Sequence, residues 1–244
     1  MFGKQNMDKK ILLIAPPCKG SNIRFGENLG IRYICSYLLE HGYDSDILEC
    51  TFKNADLEKI VNKINGYDVV GFSLNYSGQY ESAREIIKKY LGRDEGTEIQ
   101  PKKYFLAGGH FATFQYEFIL KDCPSIKYII LGEAENIIVQ LANQSFNKVE
   151  AIPNIAFCTN NKIILTKGRI DKVDIDEFPY PYRDDNSFFL NQKHFSMITS
   201  RGCYANCSFC SVSSFSKITG TGTKWRLRSA ENVINEIICV FRSN

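Results

Sequence analysis

The sequence predicts an α/β fold with a doubly wound, five-stranded parallel sheet over its first half. Five short apolar segments alternate with five helical patterns between residues 10 and 143. The apolar segments are continuous, as in strands that are buried on both faces, rather than alternating with polar residues. The composition is that of an ordinary globular protein, with 44% hydrophobic and 23% charged residues in a chain of 244.

The first strand is predicted over residues 10–15, because Pro16 and Pro17 end a continuous apolar run. A helix follows over residues 30–40, with apolar side chains at helical spacing and Gly42 as its C-terminal cap. The same alternation then repeats. Further strands are predicted at residues 46–49, 68–73, 103–107 and 127–131, and further helices at residues 57–64, 79–91, 113–120 and 133–143.

Parallel sheets of this kind bind ligands at the carboxyl ends of their strands. In this sequence those ends carry, in chain order, Pro16-Pro17-Cys18, Ser73-Leu74-Asn75-Tyr76, Gly108-Gly109-His110 and Gly132-Glu133. The glycines either let the backbone approach a ligand closely or merely turn the chain. Glu133 and Glu135 begin a helix, where acidic side chains favour the helix dipole, so a structural role competes with ligand binding at this end.

Cys203, Cys207 and Cys210 form a CxxxCxxC pattern within eight residues. Three thiolates at this spacing can hold three irons of a [4Fe–4S] cluster and leave the fourth iron open to another ligand. A zinc site and unrelated cysteines are the alternatives, although zinc prefers four ligands and the nearest histidine, His194, precedes the cysteines. Disulfides are not expected, because the nine cysteines are odd in number and no secretory signal opens the chain.

The segment around these cysteines, residues 196–212, resembles the signature of the radical S-adenosylmethionine (SAM) enzymes, and residues 225–237 resemble the approach to the first helix of their barrel. The resemblance implies that the three cysteines hold a [4Fe–4S] cluster, and that the amine and carboxylate of SAM bind its open iron. The reduced cluster would then cleave SAM to a 5′-deoxyadenosyl radical. By the same resemblance Phe209 lies near the SAM nucleoside. A small-molecule substrate and an external electron donor such as flavodoxin or ferredoxin are also implied.

The first half resembles the Rossmann-like cobalamin-binding domain that precedes many radical SAM barrels, over roughly residues 10–145. The elements that carry this resemblance are Ser73-Leu74-Asn75, Gly108-Gly109 and Gly132-Glu133-Ala134-Glu135. The resemblance implies that Ser73 and the glycines line the slot for the nucleotide tail of cobalamin. It makes Leu74, His110 and Glu133 further candidates for cofactor contact.

One element of the broader cobalamin-binding fold is missing, because residues 16–30 contain no histidine that could ligate cobalt from below. We therefore expect cobalamin without a protein histidine ligand, as is usual for the radical SAM branch. His110 is a candidate to touch the corrin, and the candidates for its lower face are Arg24, Asn28 and Tyr76. His41 is expected at the surface, at the end of a helix.

Residues 146–193 do not continue the alternation of strands and helices predicted for the first half. Residues 154–158 and 162–166 predict a β-hairpin, and Pro179 and Pro181 favour extended chain. We expect a cobalamin-binding domain at residues 8–145, a linker with the hairpin at residues 146–193, and the N-terminal part of a radical SAM (β/α) barrel at residues 194–244. Because a barrel takes ~200 residues or more, the sequence is expected to be truncated.

Composition and charge exclude two classes of partner. A net charge of +3 gives no basis for nucleic-acid binding, and no apolar run reaches the ~18 residues of a membrane span. The polar N-terminus lacks an apolar signal core, which predicts that the protein is located in the reducing cytoplasm. A reducing compartment suits thiolate ligands. The expected function is that of a cobalamin-dependent radical SAM enzyme that transfers a methyl group to an unactivated carbon. The alternatives are a cobalamin-binding module without catalysis and a zinc-stabilised regulatory protein.

Overall fold

The computed structural model describes residues 9–20, 27–50, 56–92, 103–168, 174–184, 188–189, 192–193, 195–218 and 225–242. It confirms the α/β fold class. Seven strands form one sheet in the order β2-β1-β3-β4-β5-β6-β7. Their bounds are β1 Ile11–Ala15, β2 Ser45–Glu49, β3 Val69–Ser73, β4 Tyr104–Gly108, β5 Ile126–Ile130, β6 Ile155–Thr159 and β7 Lys162–Leu165. The first five strands of the chain run parallel, as predicted.

Six helices accompany these strands: α1 Leu29–Glu40, α2 Leu57–Ile64, α3 Ser77–Leu91, α4 His110–Phe114, α5 Tyr116–Asp122 and α6 Glu135–Asn143. The side chain of Asn28 begins α1 by accepting a hydrogen bond from the N–H of Ile31, and Asp56 caps α2 in a similar way. The helix predicted over residues 113–120 is instead the pair α4 and α5. The backbone of Gln115 leaves the helical conformation between them, with φ of −118° and ψ of 22°.

The core lies on both faces of the sheet, because successive residues of a strand point to opposite faces. Leu12 and Ile14 of β1 pack on one face with residues of α2, α3 and α5. Ile11 and Leu13 pack on the other face with residues of α1 and α6. Two apolar layers explain why the strands are continuous apolar runs in the sequence, and the sheet is doubly wound as predicted.

The predicted hairpin forms, and it extends the sheet. β6 pairs antiparallel with β5, with Ile155 opposite Ile130, and β7 pairs antiparallel with β6. Asn160 and Asn161 form the turn with positive φ angles of 48° and 58°, as in a type I′ turn. The sheet therefore has seven strands rather than the five predicted, and the first part of the expected linker belongs to it.

Shorter elements follow the sheet. A 3₁₀ turn spans Ile175–Glu177, and β8 Phe188–Phe189 pairs with β9 Gln192–Lys193. Two short strands, β10 Ser200–Gly202 and β11 Trp225–Leu227, form an antiparallel ribbon. Along the chain, helix α7 Ser211–Ile218 lies between these strands, and helix α8 Ala230–Arg242 follows them. Strands of a (β/α) barrel run parallel, unlike this ribbon, and the start of a barrel stays a prediction. None of the helices in the described ranges is long and apolar enough to cross a membrane.

Candidate functional site

A cavity of about 400 Å³ lies at the carboxyl ends of the parallel strands. It is lined by Leu13 of β1 and by Phe72 of β3, the neighbouring strands on which the strand order reverses. This is the position at which open α/β sheets bind their ligands. The opposite wall comes from the later part of the chain and consists of Ile198, Arg201, Gly202, Val212, Phe215 and Ser216.

Ser73 is the centre of a polar network in this cavity. Its Oγ accepts hydrogen bonds from Asn28 Nδ2 at 3.2 Å and from Asn75 Nδ2 at 3.3 Å. The Oδ1 of Asn75 in turn accepts from the backbone N–H of His110 at 3.1 Å. Both acceptor positions of the Ser73 hydroxyl are therefore filled, and none of the described residues accepts its proton. The hydroxyl is arranged to donate to a ligand.

Two glycines give the strand ends shapes that other residues would not adopt. Gly109 has a φ of +97°, and a Cβ there would lie 2.8 Å from Asn75 Oδ1 and 2.9 Å from the carbonyl oxygen of Leu74. Gly132 has a φ of +78°, and its N–H donates to Thr113 Oγ1 at 3.0 Å. Both glycines line the cavity. The backbone at these positions can therefore approach a ligand without an intervening side chain.

The imidazole of His110 stacks on the ring of Phe215, with the ring centres 4.2 Å apart and the planes 10° from parallel. Both rings line the cavity, so this pair joins the β4 end to α7. Burial lowers the pKa of His110, which favours the neutral ring at pH 7. A neutral imidazole offers a ligand one donor and one acceptor.

Four charged side chains join the β5 end to the β10–β11 ribbon. Arg201 contacts Glu133 Oε2 through Nη1 at 3.2 Å and donates to Glu135 Oε1 through Nη2 at 2.6 Å. Arg226 donates to Glu133 Oε1. Burial alone would lower the pKa of Arg201, but the two carboxylates outweigh it and the pKa is raised. The sequence predicted the two acidic residues at a helix start; their arginine partners were missed, although Arg201 stands two residues before Cys203.

A second charged network connects the sheet to the later part of the chain. Arg183 donates to Glu27 Oε2 at 2.6 Å and to Glu236 Oε1 at 2.9 Å. Glu27 also lies 3.7 Å from Arg32, a fully buried arginine of α1. The sequence did not single out any of these four residues. Arg183 lies 156 residues from Glu27 and 53 residues from Glu236 along the chain, so no local pattern links them.

The three cysteines of the CxxxCxxC pattern lie on the loop between β10 and α7. Cys203 and Cys210 are half-buried, and Cys207 is exposed. The N–H of Cys210 donates to the carbonyl of Cys207 at 3.2 Å, and the N–H of Ala205 lies 3.4 Å from Cys203 Sγ. In the described ranges no three histidine, cysteine or acidic side chains converge as a metal site does. The cluster ligands stay a prediction.

The cavity lining includes most of the predicted cofactor contacts, namely Ser73, Gly108, Gly109, His110, Gly132 and Glu133, and also Asn28. Leu74 lies outside the lining, because its side chain is fully buried in the core. Phe209 is 91% exposed beside Cys210 and also lies outside the lining. Their roles as cofactor contacts stay predictions.

Other candidates from the sequence lie away from the cavity. The residues after the end of β1, Pro16-Pro17-Cys18, do not line the cavity. The half-exposed Tyr76 does not line it either. His41 is exposed at the end of α1, where its Nδ1 lies 2.7 Å from the carbonyl oxygen of Tyr37. Arg24 and His194 fall outside the described residues.

Part of the chain is similar to a known domain family. Residues 24–142 match the model of the B12 binding domain. The chain is 28% identical over 241 residues to an uncharacterized methyltransferase of Pyrococcus horikoshii, covering 93% of this chain and 50% of that protein. It is 24% identical over 245 residues to an anaerobic magnesium-protoporphyrin IX monomethyl ester cyclase of Synechocystis sp., covering 96% and 47%. The chain thus spans about half the length of these relatives.

Solved structures of other proteins share the fold. The cobalamin-dependent SAM radical enzyme OxsB, with aqua-cobalamin and SAM bound, aligns with a TM-score of 0.73 at 19% identity, over 97% of this chain and 32% of that one. The radical SAM methyltransferase TsrM from Kitasatospora setae, with cobalamin and a [4Fe–4S] cluster bound, aligns with a TM-score of 0.72 at 16% identity, over 95% and 45%. At these identities the likeness shows the fold alone.

Proposed function

We propose that this chain, which matches the B12 binding domain over residues 24–142 and is similar to cobalamin-dependent radical SAM enzymes, holds both cofactors of such an enzyme. Cobalamin would bind in the cavity, a [4Fe–4S] cluster would bind to Cys203, Cys207 and Cys210, and SAM would bind the open iron. The observation that carries the proposal is the double wall of the cavity. One wall is the strand ends of the B12-binding domain, and the other flanks the cysteine loop on both sides.

The residues of the cavity suit contact with a ligand that has both apolar and polar parts. Its walls are largely apolar in surface, with a few polar groups at fixed positions. Ser73 presents a hydroxyl proton, Gly109 and Gly132 leave backbone open to close approach, and His110 presents a neutral ring. When bound, cobalamin supplies a transferable methyl group and the cluster with SAM supplies a radical that activates the acceptor carbon.

Methyl transfer is the reaction that we propose. The name of the P. horikoshii relative and that of a cytidylyl-2-hydroxyethylphosphonate methyltransferase of Streptomyces wedmorensis, 23% identical over 86% of this chain, favour it. The cyclase names among the relatives keep ring formation as the competing outcome. A small-molecule substrate and an external electron donor such as flavodoxin or ferredoxin complete the proposal.

The test is anaerobic reconstitution of the chain with iron, sulfide and hydroxocobalamin, followed by desalting, visible absorption, EPR and metal analysis. We expect retained corrin absorbance together with a reducible iron–sulfur EPR signal. Corrin without iron would support a cobalamin-binding module without radical chemistry. Zinc in place of iron and sulfide, or retention of neither cofactor, would contradict the proposal.

The ligand assignment is tested by Cys207→Ala, with Cys158→Ala as the matched control. Cys158 is also an exposed free cysteine, but it lies in β6, away from the cysteine loop. We expect iron and acid-labile sulfide to fall to background in Cys207→Ala and to be kept in Cys158→Ala, with corrin retained by both. Full cluster content in Cys207→Ala would show that the assignment is wrong.

A further inference from the structure

We propose that Glu133 is a positioning residue that couples the two cofactor sites, so that cobalamin binding and cluster assembly favour each other. This inference rests on the proposed function. It concerns the four charged side chains at the β5 end and the β10–β11 ribbon, which we call the rim clamp: Glu133, Glu135, Arg201 and Arg226.

The ribbon needs these carboxylates in order to form. It has only three residue pairs, and a two-stranded ribbon of this length is marginal by itself. Its central pair places Arg201 directly opposite Arg226. Directly opposite residues project from the same face, and like charges there repel. Glu133 accepts from Arg226 and pairs with Arg201, so one carboxylate neutralises the contact between two guanidinium groups.

Burial makes this clamp more than a surface ion pair. Arg201 is 11% exposed and Arg226 is 9% exposed, so salt screens their pairs with Glu133 less than it screens pairs in open solvent. Removal of the shared carboxylate leaves two adjacent, largely buried cations, of which only Arg201 keeps an acidic partner in the clamp, Glu135. The geometry therefore makes the ribbon depend on a residue of the B12-binding domain.

The clamp touches both proposed cofactor sites. Glu133 follows Gly132 and lines the cavity, and Arg201 lines the same cavity from the other side. Arg201 also stands two residues before Cys203, on the strand that leads into the cysteine loop. A ligand that fills the cavity would contact both halves of the clamp, and cluster assembly would fix the loop that follows β10. Both events favour the same arrangement, so each must strengthen the other to an equal degree.

The experiment measures hydroxocobalamin affinity under anaerobic conditions for the full chain, with and without the reconstituted cluster. For the unchanged chain we expect the cluster to tighten binding by about 5- to 150-fold, the usual range for coupled sites. Glu133→Gln should bring this ratio close to one. Glu150→Gln, an exposed glutamate away from the clamp, should keep the ratio of the unchanged chain.

A second substitution separates charge repulsion from the loss of a contact. In Glu133→Gln/Arg226→Gln one of the two opposed cations is gone, so the ratio should recover to a value between those of Glu133→Gln and the unchanged chain. Arg226→Gln alone should lower the ratio least, because Arg201 keeps both carboxylates. Arg226 does not line the cavity, so its effect is not loss of a direct cofactor contact. A residue with only a packing role would not show this recovery.

The protein carries its own probe of the ribbon. Its single tryptophan, Trp225, pairs with Gly202, and its ring centre lies 5.6 Å from that of Tyr204 on the cysteine loop. In the cofactor-free protein, Glu133→Gln should shift Trp225 emission to the red and increase its quenching by acrylamide. The double variant should reverse part of both changes, and Glu150→Gln should cause neither.

The outcomes separate the two proposals. An affinity ratio of one in an unchanged chain that binds both cofactors would overturn the coupling and leave the proposed function standing. An unchanged ratio in Glu133→Gln, or a double variant no better than Glu133→Gln, would also overturn it. If Glu133→Gln does not fold by far-UV circular dichroism, the double variant decides, since an affinity ratio of one there would refute the clamp. Failure of the unchanged chain to bind either cofactor would overturn both proposals.

Discussion

Replacement of Arg32 by Met tests how much the buried charges contribute to the stability of the fold. Arg32 is fully buried in α1. Its guanidinium donates to both carboxylate oxygens of Glu49, at 3.2 and 2.8 Å, to Asp184 Oδ1 at 3.1 Å and to the carbonyl oxygen of Tyr182 at 2.9 Å. Met fills a similar volume but leaves those acceptors without their cation.

The size of the loss follows from the burial of the partners. Removing one member of a buried ion pair costs about 3–5 kcal/mol, because the remaining charge is left uncompensated. The side chains of Glu49 and Asp184 are 22% and 21% exposed, so water can recover part of their solvation. The lower end, about 3 kcal/mol, is therefore expected. At about 2–4 °C per kcal/mol for a chain of this size, the melting temperature should fall by about 6–12 °C.

The assay is urea unfolding followed by far-UV circular dichroism, together with a thermal melt. The matched control is Arg84→Met, because Arg84 pairs with Asp122 at 3.3 Å but is 40% exposed. An exposed pair is worth about 1 kcal/mol or less. If Arg32→Met lowers the free energy of unfolding no more than Arg84→Met does, the reasoning from burial is refuted.

Two further predictions concern the cavity. Gly109→Ala should lower the free energy of unfolding by about 1–3 kcal/mol and weaken hydroxocobalamin binding, because the strained backbone places the new methyl group against Asn75. The control is Gly66→Ala, whose Cβ would meet its nearest atom at an ordinary 3.7 Å and which should leave stability unchanged. Equal losses of stability for the two variants in urea unfolding would contradict the strain at Gly109. The lowered pKa of His110 means that the unfolded chain takes up the proton first as the pH falls, so stability conferred by the neutral ring is present above about pH 6.5 and is lost below it. His110→Phe keeps a ring against Phe215 and should lose less stability between about pH 7 and about pH 5.5 than the unchanged chain; an identical loss would exclude His110 as the titrating group.

The parallel strands could be predicted because a strand that is buried on both faces consists of consecutive apolar residues. The run at residues 10–15 is apolar throughout since both faces of β1 are covered, and the candidate positions at Ser73 and Gly109 follow from strand ends alone. The partner of the hairpin could not be predicted. Both strands of the hairpin are visible in the sequence, but the pairing of Ala156 with Ile129 is decided by which sheet edge is free.

The rim clamp was missed for a related reason. Arg201 and Glu135 are 66 residues apart, and Arg226 and Glu133 are 93 residues apart. No periodicity links charges at such separations, and each residue taken alone is typical of an exposed surface. The break of the predicted fourth helix at Gln115 was likewise invisible, because the apolar spacing continues across it.

The direction of the β6–β7 hairpin has a practical consequence for measurement. β5 ends at the cavity, Ile155 begins β6 beside that end, and the Asn160-Asn161 turn therefore lies at the opposite end of the sheet. Both asparagines are exposed, and an exposed tight turn tolerates inserted residues well. A biotin-acceptor peptide placed between them would tether the protein to a sensor surface with the cofactor cavity facing solution. Cofactor loading could then be followed on immobilised molecules in real time.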